Sequence, residues 1–352
     1  MSGNSFDIGS DTREGGGPAE AELADAVLAR YGEIALKGKN RPYFEDRLAD
    51  NIRDKTRARV RKTSGRFIIH PQTTNPRIIR PRTGSNGPYH KDSGECSHKH
   101  ASNDPHQEME GIIRNLKKVF GITSISPARE VRLDIDDIKE EALKQAKNLK
   151  NRDSKSFRIT VQRIQKRLKP SPELEREIGA YVAENTGKKV KLEGPDLEIS
   201  VEIGEKAYVF TERIQCLGGL PVGVEGSTAL ICEKGREEAC ALAGLLMMKR
   251  GCNVYPFLLS GKKGKGMQEH EQHTGLLHDH GARKPETAGD IKEAEHKAAK
   301  KRCRALVIAS TLDDIYCPET DLMILWPLIR YTKKDIRREL EGFKNAGQSK
   351  YE

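Results

Sequence analysis

The sequence predicts a multidomain protein of mixed α/β and α+β class. Three observations point there. Its 352 residues exceed one ordinary domain. A glycine-rich connector, Gly218-Gly219-Leu220-Pro221-Val222-Gly223-Val224-Glu225-Gly226, divides the chain. Beyond it strands and helices alternate singly, the pattern of a doubly wound parallel sheet covered on both faces, whereas before it paired strands and helices mix.

Residues 1–25 hold Gly15-Gly16-Gly17-Pro18 and little that can pack, and read as a disordered tail. Residues 26–36 read as a strand running into the polar turn Lys37-Gly38-Lys39-Asn40. Pro42 suits the first turn of a helix to about Arg57, with Phe44, Leu48 and Ile52 at spacings of four. Residues 60–70 alternate as a hairpin turning at Gly65. Residues 75–107 are rich in Pro, Gly, Ser, Asn and His without apolar period, and read as an insertion. A helix over 108–120 closes at Gly121, followed by a strand over 122–128, a helix over 135–149 and a strand over 157–161. Ser171-Pro172 opens the next helix, which ends at Gly187; strands over 190–192, 197–203 and 207–214 complete this half. After the connector come a strand (228–232), a helix (236–250) and a strand (253–259). An irregular insertion (260–289) precedes a helix (291–302), two strands (304–309, 322–327) and a last helix from Lys333. The domain boundaries are set at 1–25, 26–107, 108–217 and 218–352.

Lys and Arg number 62 against 52 acidic residues, a net charge of +10 and a pI near 9.1. Such a surface favours a polyanion, because each neutralised phosphate releases counterions. No run approaches the roughly 18 apolar residues of a membrane span, and the polar N-terminus is no signal peptide. The seven cysteines form no Cys-x-x-Cys pair and read as thiols of a reducing cytoplasm.

The string Ala29-Arg30-Tyr31-Gly32-Glu33-Ile34-Ala35-Leu36-Lys37-Gly38-Lys39-Asn40-Arg41 carries a specific resemblance. With it go Val119-Phe120-Gly121-Ile122, Pro195-Asp196, Gly218–Gly223, Leu246-Met247-Met248-Lys249-Arg250-Gly251 and Pro327-Leu328-Ile329. The chain resembles the tRNA 4-thiouridine synthetases (tRNA sulfurtransferases), in an archaeal-type form. The resemblance implies a ferredoxin-like N-terminal domain, a THUMP domain that holds the tRNA acceptor end, and a pyrophosphatase-like α/β domain that adenylates uridine before a persulfide delivers sulfur. RNA phosphates need exposed cations. Those matching the family's regions are Lys37, Lys39, Asn40 and Arg41; Arg158, Arg163, Lys166, Arg167 and Lys169; and Lys188, Lys189 and Lys191. The denser run Arg53, Lys55, Arg57, Arg59, Arg61 and Lys62 suits solubilisation of a helix and an edge strand.

The family's ATP loop reads Ser-Gly-Gly-x-Asp-Ser, because bare amides, hydroxyls and a helix N-terminus together cradle phosphate. Here the corresponding stretch is Cys232-Glu233-Lys234-Gly235-Arg236-Glu237-Glu238-Ala239. One glycine remains, no hydroxyl does, and three carboxylates stand where phosphate should lie. At about 4 Å like charges repel by roughly 4 kcal/mol at an effective dielectric of 20, offset in part by Lys234 and Arg236. The family's Thr-Gly-Glu and Ser-Gln-Thr stretches are likewise altered, to Ser310-Thr311-Leu312-Asp313-Asp314 and Cys317-Pro318-Glu319-Thr320. By position, a vestigial nucleotide site would comprise Leu230, Ile231, Gly235, Tyr255 and Pro256, touching adenine through main chain. No catalytic residue is assigned, and Cys232 and Cys317 read as packing residues.

Eight of the ten histidines fall in the two insertions, with Cys96, but their spacing matches no zinc pattern and no metal is expected. Two readings of function stand. One is an accessory, non-catalytic tRNA-binding protein that uses no cofactor and works with a catalytic paralogue or sulfur carrier. The other is an active sulfurtransferase with an atypical ATP/Mg site and an external sulfur donor. A metal- or nucleotide-sensing regulator is a third, and a homodimer stays open.

Overall fold

The computed structural model describes residues 24–72, 104–259 and 267–345. Residues 1–23 of the tail expected over 1–25 and most of the insertion expected over 75–107, with His90, Cys96, His98 and His100, lie outside the described residues; Asp25 is instead bonded to Ala128 and Arg129.

The chain opens with β1 (Ala26–Tyr31), α1 (Arg41–Thr56), β2 (Arg59–Thr63), β3 (Arg66–His70), α2 (Pro105–Leu116) and β4 (Ile122–Val131). Strand β1 is shorter than expected: the chain leaves it at Gly32 for two short 3-10 turns, Glu33–Leu36 and Gly38–Asn40. Phe44, Leu48 and Ile52 of α1 are buried, as their spacing requires, against Val27, Ala29, Phe67 and Ile69. Each such side chain contributes about 1.5–3 kcal/mol by leaving water. Helix α2 begins at Pro105, where the Asp104 carboxylate accepts from the His106 amide at 2.9 Å. Its Met109, Ile112 and Leu116 enter the same core. The boundary expected at residue 108 therefore cuts through one packed unit, a βαββαβ ferredoxin-like domain with strand order β2-β3-β1-β4.

The unit expected as the THUMP domain follows: α3 (Ile135–Lys147), β5 (Ser156–Arg163), α4 (Ser171–Thr186), β6 (Lys189–Val190), β7 (Leu197–Ile203) and β8 (Ala207–Phe210), then the short β9 (Ile214–Gln215). Asp134 caps α3, and Gly187 ends α4 in the left-handed conformation, φ 70°. Pro195-Asp196 has a structural task, since the Asp196 carboxylate accepts from the Lys155 and Ser156 amides at 3.0 and 2.9 Å.

The two domains share a strand. Residues 122–128 of β4 pair with β1, and Arg129, Glu130 and Val131 pair with β8, so one sheet of nine strands runs through both. On the face of this sheet away from α1 lies a second apolar layer, Leu28, Ile68, Tyr208 and Phe210, ringed by ions. Glu202 Oε1 accepts from Arg30 Nε and Nη2 at 3.2 and 2.5 Å, and Glu202 Oε2 contacts Arg66. Arg61 bonds Glu205, and Glu130 bonds His70 and Lys206.

The third unit holds β10 (Ser227–Cys232), α5 (Glu237–Lys249), β11 (Asn253–Leu259), α6 (Met267–Asp279), β12 (Glu286–Ala288), α7 (Ile291–Lys300), β13 (Ala305–Ile308), β14 (Met323–Leu325) and α8 (Lys333–Asn345). All five strands are parallel, in order β12-β11-β10-β13-β14. Leu230 and Cys232 face the core under α5, α6 and α8, while Ala229 and Ile231 face α7, the alternation that strand geometry imposes. The stretch 260–289, expected as an irregular insertion, contains α6 and the edge strand β12 among its described residues.

The connector is bonded on both sides. Val222 O accepts from Arg47 Nε and Asn51 Nδ2 of α1 at 2.9 and 3.1 Å, and the Leu220 amide donates to Lys249 O. At Gly219 (φ 77°) an added Cβ would stand 2.4 Å from Lys249 O, and at Gly223 (φ 96°) 2.1 Å from Arg47 Nη2. Phe120 crosses into the third unit's core, packing on His280 and Phe343 at centroid distances of 5.8 and 6.1 Å. Burial lowers the His280 pKa.

Glu202 is 4% exposed, and removing it strands two guanidinium groups. Glu202→Ala is expected to cost about 3–5 kcal/mol in urea-monitored unfolding. Burial pushes the Glu130 carboxyl up, yet hydrogen bonds from His70 and Lys206 outweigh it and bring it down to about 2. Its contribution is complete above the unfolded carboxylate value near 4.5 and is lost as pH falls towards 2. The stability gap between wild type and Glu130→Gln should accordingly narrow between pH 5 and pH 2.

Candidate functional site

Doubly wound sheets bind ligands at the carboxyl ends of their strands, where successive crossovers diverge. Here β10 leads through α5 to β11 on one side, and β13 lies on the other. The crevice between the ends of β10 and β13 is filled by Arg236. Its Nη1 donates to Ala309 O and Ser310 Oγ at 3.4 and 3.2 Å, and its Nη2 lies 3.0 Å from Asp314 Oδ2. Its Nε is 3.6 Å from Glu233 Oε2. Tyr316 OH donates to Glu233 Oε1 at 2.8 Å. Burial raises the Tyr316 pKa, and the Glu233 hydrogen bond raises it further. Burial pushes Asp314 up, but Thr311 and then Arg236 hold it below the usual carboxylate value.

The three carboxylates expected to repel phosphate are each accommodated. Glu233 faces Tyr316 and Arg236, Glu238 accepts from Arg337 at 3.1 Å, and Glu237 Oε1 accepts from the Gly235 amide at 2.8 Å. That last contact matters most, because a carboxylate oxygen takes the amide of the loop's one remaining glycine. The loop thus differs from the expectation of bare repulsion: its carboxylates have partners within the protein, and Arg236 bridges the ends of β10 and β13.

The other residues of the expected nucleotide site are not gathered there. Leu230 and Ile231 are fully buried, with ladder partners on both β11 and β13. Tyr255 and Pro256 pair with Ala229 and Leu230, about 10 Å short of the strand end at 3.3 Å per residue. Cys232 and Cys240 are buried side by side; the mutual hydrogen bond and then burial hold the Cys232 thiol well above its ordinary value. Cys317 is exposed. Among the described residues no three metal-ligating groups converge.

The expected RNA-facing cations fall into three places. Lys39 and Asn40 are exposed on the turn before α1. Beside them Lys37 stacks over Phe44 at 4.7 Å and lies 3.7 Å from Glu225, and Arg41 donates to Glu45 and Tyr31 OH at 2.7 Å each. Arg163, Lys166, Arg167 and Lys169 lie at the carboxyl end of β5, where Lys169 pairs with Glu177 at 2.8 Å. Lys189 and Lys191 flank the other end, since Ser156 pairs with Lys189, and Arg158 Nη1 donates to Leu192 O at 3.2 Å. The two ends are about 23 Å apart over seven residues of strand, so they form no single patch. Lys188 is a correction: its ammonium group bonds Asn151 O, Arg152 O and both oxygens of Ser154, a structural role that leaves no phosphate contact. The run expected to solubilise is partly paired, as in Arg53 with Asp50 and Lys62 with Asp46. Sequence reasoning missed Arg30, Arg66 and Arg213 at the domain seam; the signal was an arginine, next to last in the otherwise apolar β1.

Residues 26–83 match the model of the ThiI ferredoxin-like domain, and residues 132–212 that of the THUMP domain. The chain is 32% identical over 257 residues to a protein of Alkaliphilus metalliredigens named "Probable tRNA sulfurtransferase". It is 34% identical over 254 residues to one of the same name in Moorella thermoacetica. The chain belongs to the tRNA sulfurtransferase family. These alignments cover 69% and 68% of the chain, which spans only 57% and 55% of the two relatives' lengths. Among solved structures, PH1313 of Pyrococcus horikoshii matches with a TM-score of 0.72 at 26% identity, over 91% of this chain and 99% of that one. A 4-thiouridine synthetase, solved with RNA and bound ATP, shares the fold: TM-score 0.70, 22% identity, 94% of this chain and 88% of that one. No helix among the described residues is long and apolar enough to cross a membrane.

Arg236→Ala should release the segment after β13 and lower stability by about 1–3 kcal/mol, the cost of leaving paired polar groups unsatisfied. Thermal denaturation, with hydrogen exchange at the Thr311–Asp314 turn, checks this.

Proposed function

We propose that this chain is a tRNA-binding member of the sulfurtransferase family whose α/β domain does not activate nucleotide, and that it serves tRNA thio-modification as an accessory protein. One observation carries the reading: the Arg236 guanidinium occupies the crevice between β10 and β13 while Glu237 takes the Gly235 amide. Both positions where an ATP phosphate would bind are filled by the protein itself. Of the cysteines near this network Cys232 is buried beside Cys240, and the exposed Cys317 follows Tyr316; this reading assigns sulfur transfer to neither and leaves it to a partner.

In this reading the first two domains hold the acceptor end of tRNA through Lys39, Asn40, Arg163, Lys166 and Arg167. A separate catalytic partner in the cytoplasm, a paralogue or a sulfur carrier, supplies the thiolation. Neither ATP nor magnesium is bound. The proposed division of the chain places the ferredoxin-like domain at 24–131, THUMP at 132–217 and the α/β domain from the connector onward.

Two measurements test it. Calorimetric titration of the chain with ATP and Mg²⁺ should give no binding heat. Incubation with tRNA, ATP and sulfide should release no AMP, and robust tRNA-dependent AMP release would replace this reading with that of an active sulfurtransferase. Reversing charge at Lys166 and Arg167 together should weaken tRNA binding and flatten its salt dependence, as loss of phosphate contacts requires.

A further inference from the structure

The seam between the ferredoxin-like and THUMP domains holds more positive charge than it neutralises. By strand register Thr63, Arg66, Arg30, Ser124 and Gln215 form one row across β2, β3, β1, β4 and β9. Arg30 and Arg66 are each only 8% exposed. Glu202 is the one carboxylate paired with either of them among the described residues. Arg213 stands at the exposed mouth of the row, where its Nε donates to Ser124 Oγ at 3.1 Å, and no carboxylate pairs with it among the described residues. Three guanidinium groups thus face one carboxylate, a surplus of two charges. Arg66 Nε, in a side chain nine-tenths buried, has no hydrogen-bond acceptor.

We propose that this seam is an oxyanion site that takes one backbone phosphate of the bound RNA, with Arg213 as its exposed ligand, Ser124 at its base, and Arg66 and Arg30 behind. The inference rests on the RNA-binding reading above and adds a contact that joins the two domains. Guanidinium forks match a phosphate's oxygens in geometry and charge. A bound anion would also relieve the repulsion among the arginines: burial and then the Arg30 charge lower the Arg213 pKa, and burial, Arg30 and Arg213 lower that of Arg66 to about 10. The cationic loop after β5 starts beside the end of β7, which carries Glu202. Ile203, next to Glu202, accepts from the Ile164 and Gln165 amides at 2.8 and 3.3 Å, which places Lys166 and Arg167 one step along the same track.

The test compares wild type, Arg213→Gln and the Lys166→Glu/Arg167→Glu double variant in binding to an unmodified tRNA transcript across a salt series. Arg213 is exposed, so Arg213→Gln should melt with wild type. It should bind severalfold more weakly, with a slope of log affinity against log salt shallower by about one unit or slightly less. A parallel arm follows melting temperature in inorganic phosphate against chloride at matched ionic strength. A phosphate-specific rise in wild type that Arg213→Gln lacks, together with the reduced tRNA slope, supports the inference. If wild type and Arg213→Gln bind tRNA with the same affinity and slope while the double variant is impaired, the RNA-binding reading survives and the seam site falls. If phosphate stabilises through Arg213 but the tRNA slope does not change, the site serves a free anion and the RNA assignment is overturned. If wild type itself does not bind tRNA, both readings fall.

Discussion

One strand, Ile122–Val131, belongs to two domains at once, and the arrangement of everything before the connector follows from it. A linker between two domains leaves their orientation to weak surface contacts. A shared strand fixes it through main-chain hydrogen bonds, because rotating one domain on the other would require breaking the ladder of β1 on one end or of β8 on the other. The ion pairs of Glu202 and Glu130 then tie strands of the two domains together beside the shared sheet's second apolar layer. Cations on the turn before α1 and on the loop after β5 are therefore held at fixed separation, which a rigid, elongated polyanion can exploit and a flexible one cannot.

The third domain is attached by different means. Its connector has no free length: Val222 is clamped by α1, Leu220 by the end of α5, and Phe120 is inserted into the far core. Glycine is required where two backbones come within contact distance, as at Gly219. The α/β domain is thus docked on the ferredoxin-like domain through both its connector and its core.

Much of this architecture could be read from the sequence, for identifiable reasons. Helix α1 was legible because Phe44, Leu48 and Ile52 recur at helical spacing, and the parallel sheet because strands and helices alternate singly after the connector. Helix α6 was not, since Met267–Asp279 carries little apolar periodicity and is held by tertiary contact with α5. The place of α2 was obscured by the long stretch that separates it from β3, although its burial partners lie in β1 and α1. Within the site, the loss of glycines and hydroxyls after β10 was plain, whereas the partners of the incoming carboxylates were not. Arg236 reaches Asp314 across 78 positions of sequence, and no local pattern announces such a pair. Lys188 shows the converse: a lysine inside a basic cluster whose ammonium is consumed by carbonyl oxygens several turns away.

The Arg236 contact has a consequence for competition. A diffusible ligand occupies its site in proportion to its concentration and leaves when that concentration falls. A guanidinium fixed to the polypeptide by a short turn is present at a local concentration set by geometry alone. In the accessory reading proposed above, swings in cellular energy charge leave this crevice unchanged, making the third domain a constant of the molecule instead of a gauge of its surroundings.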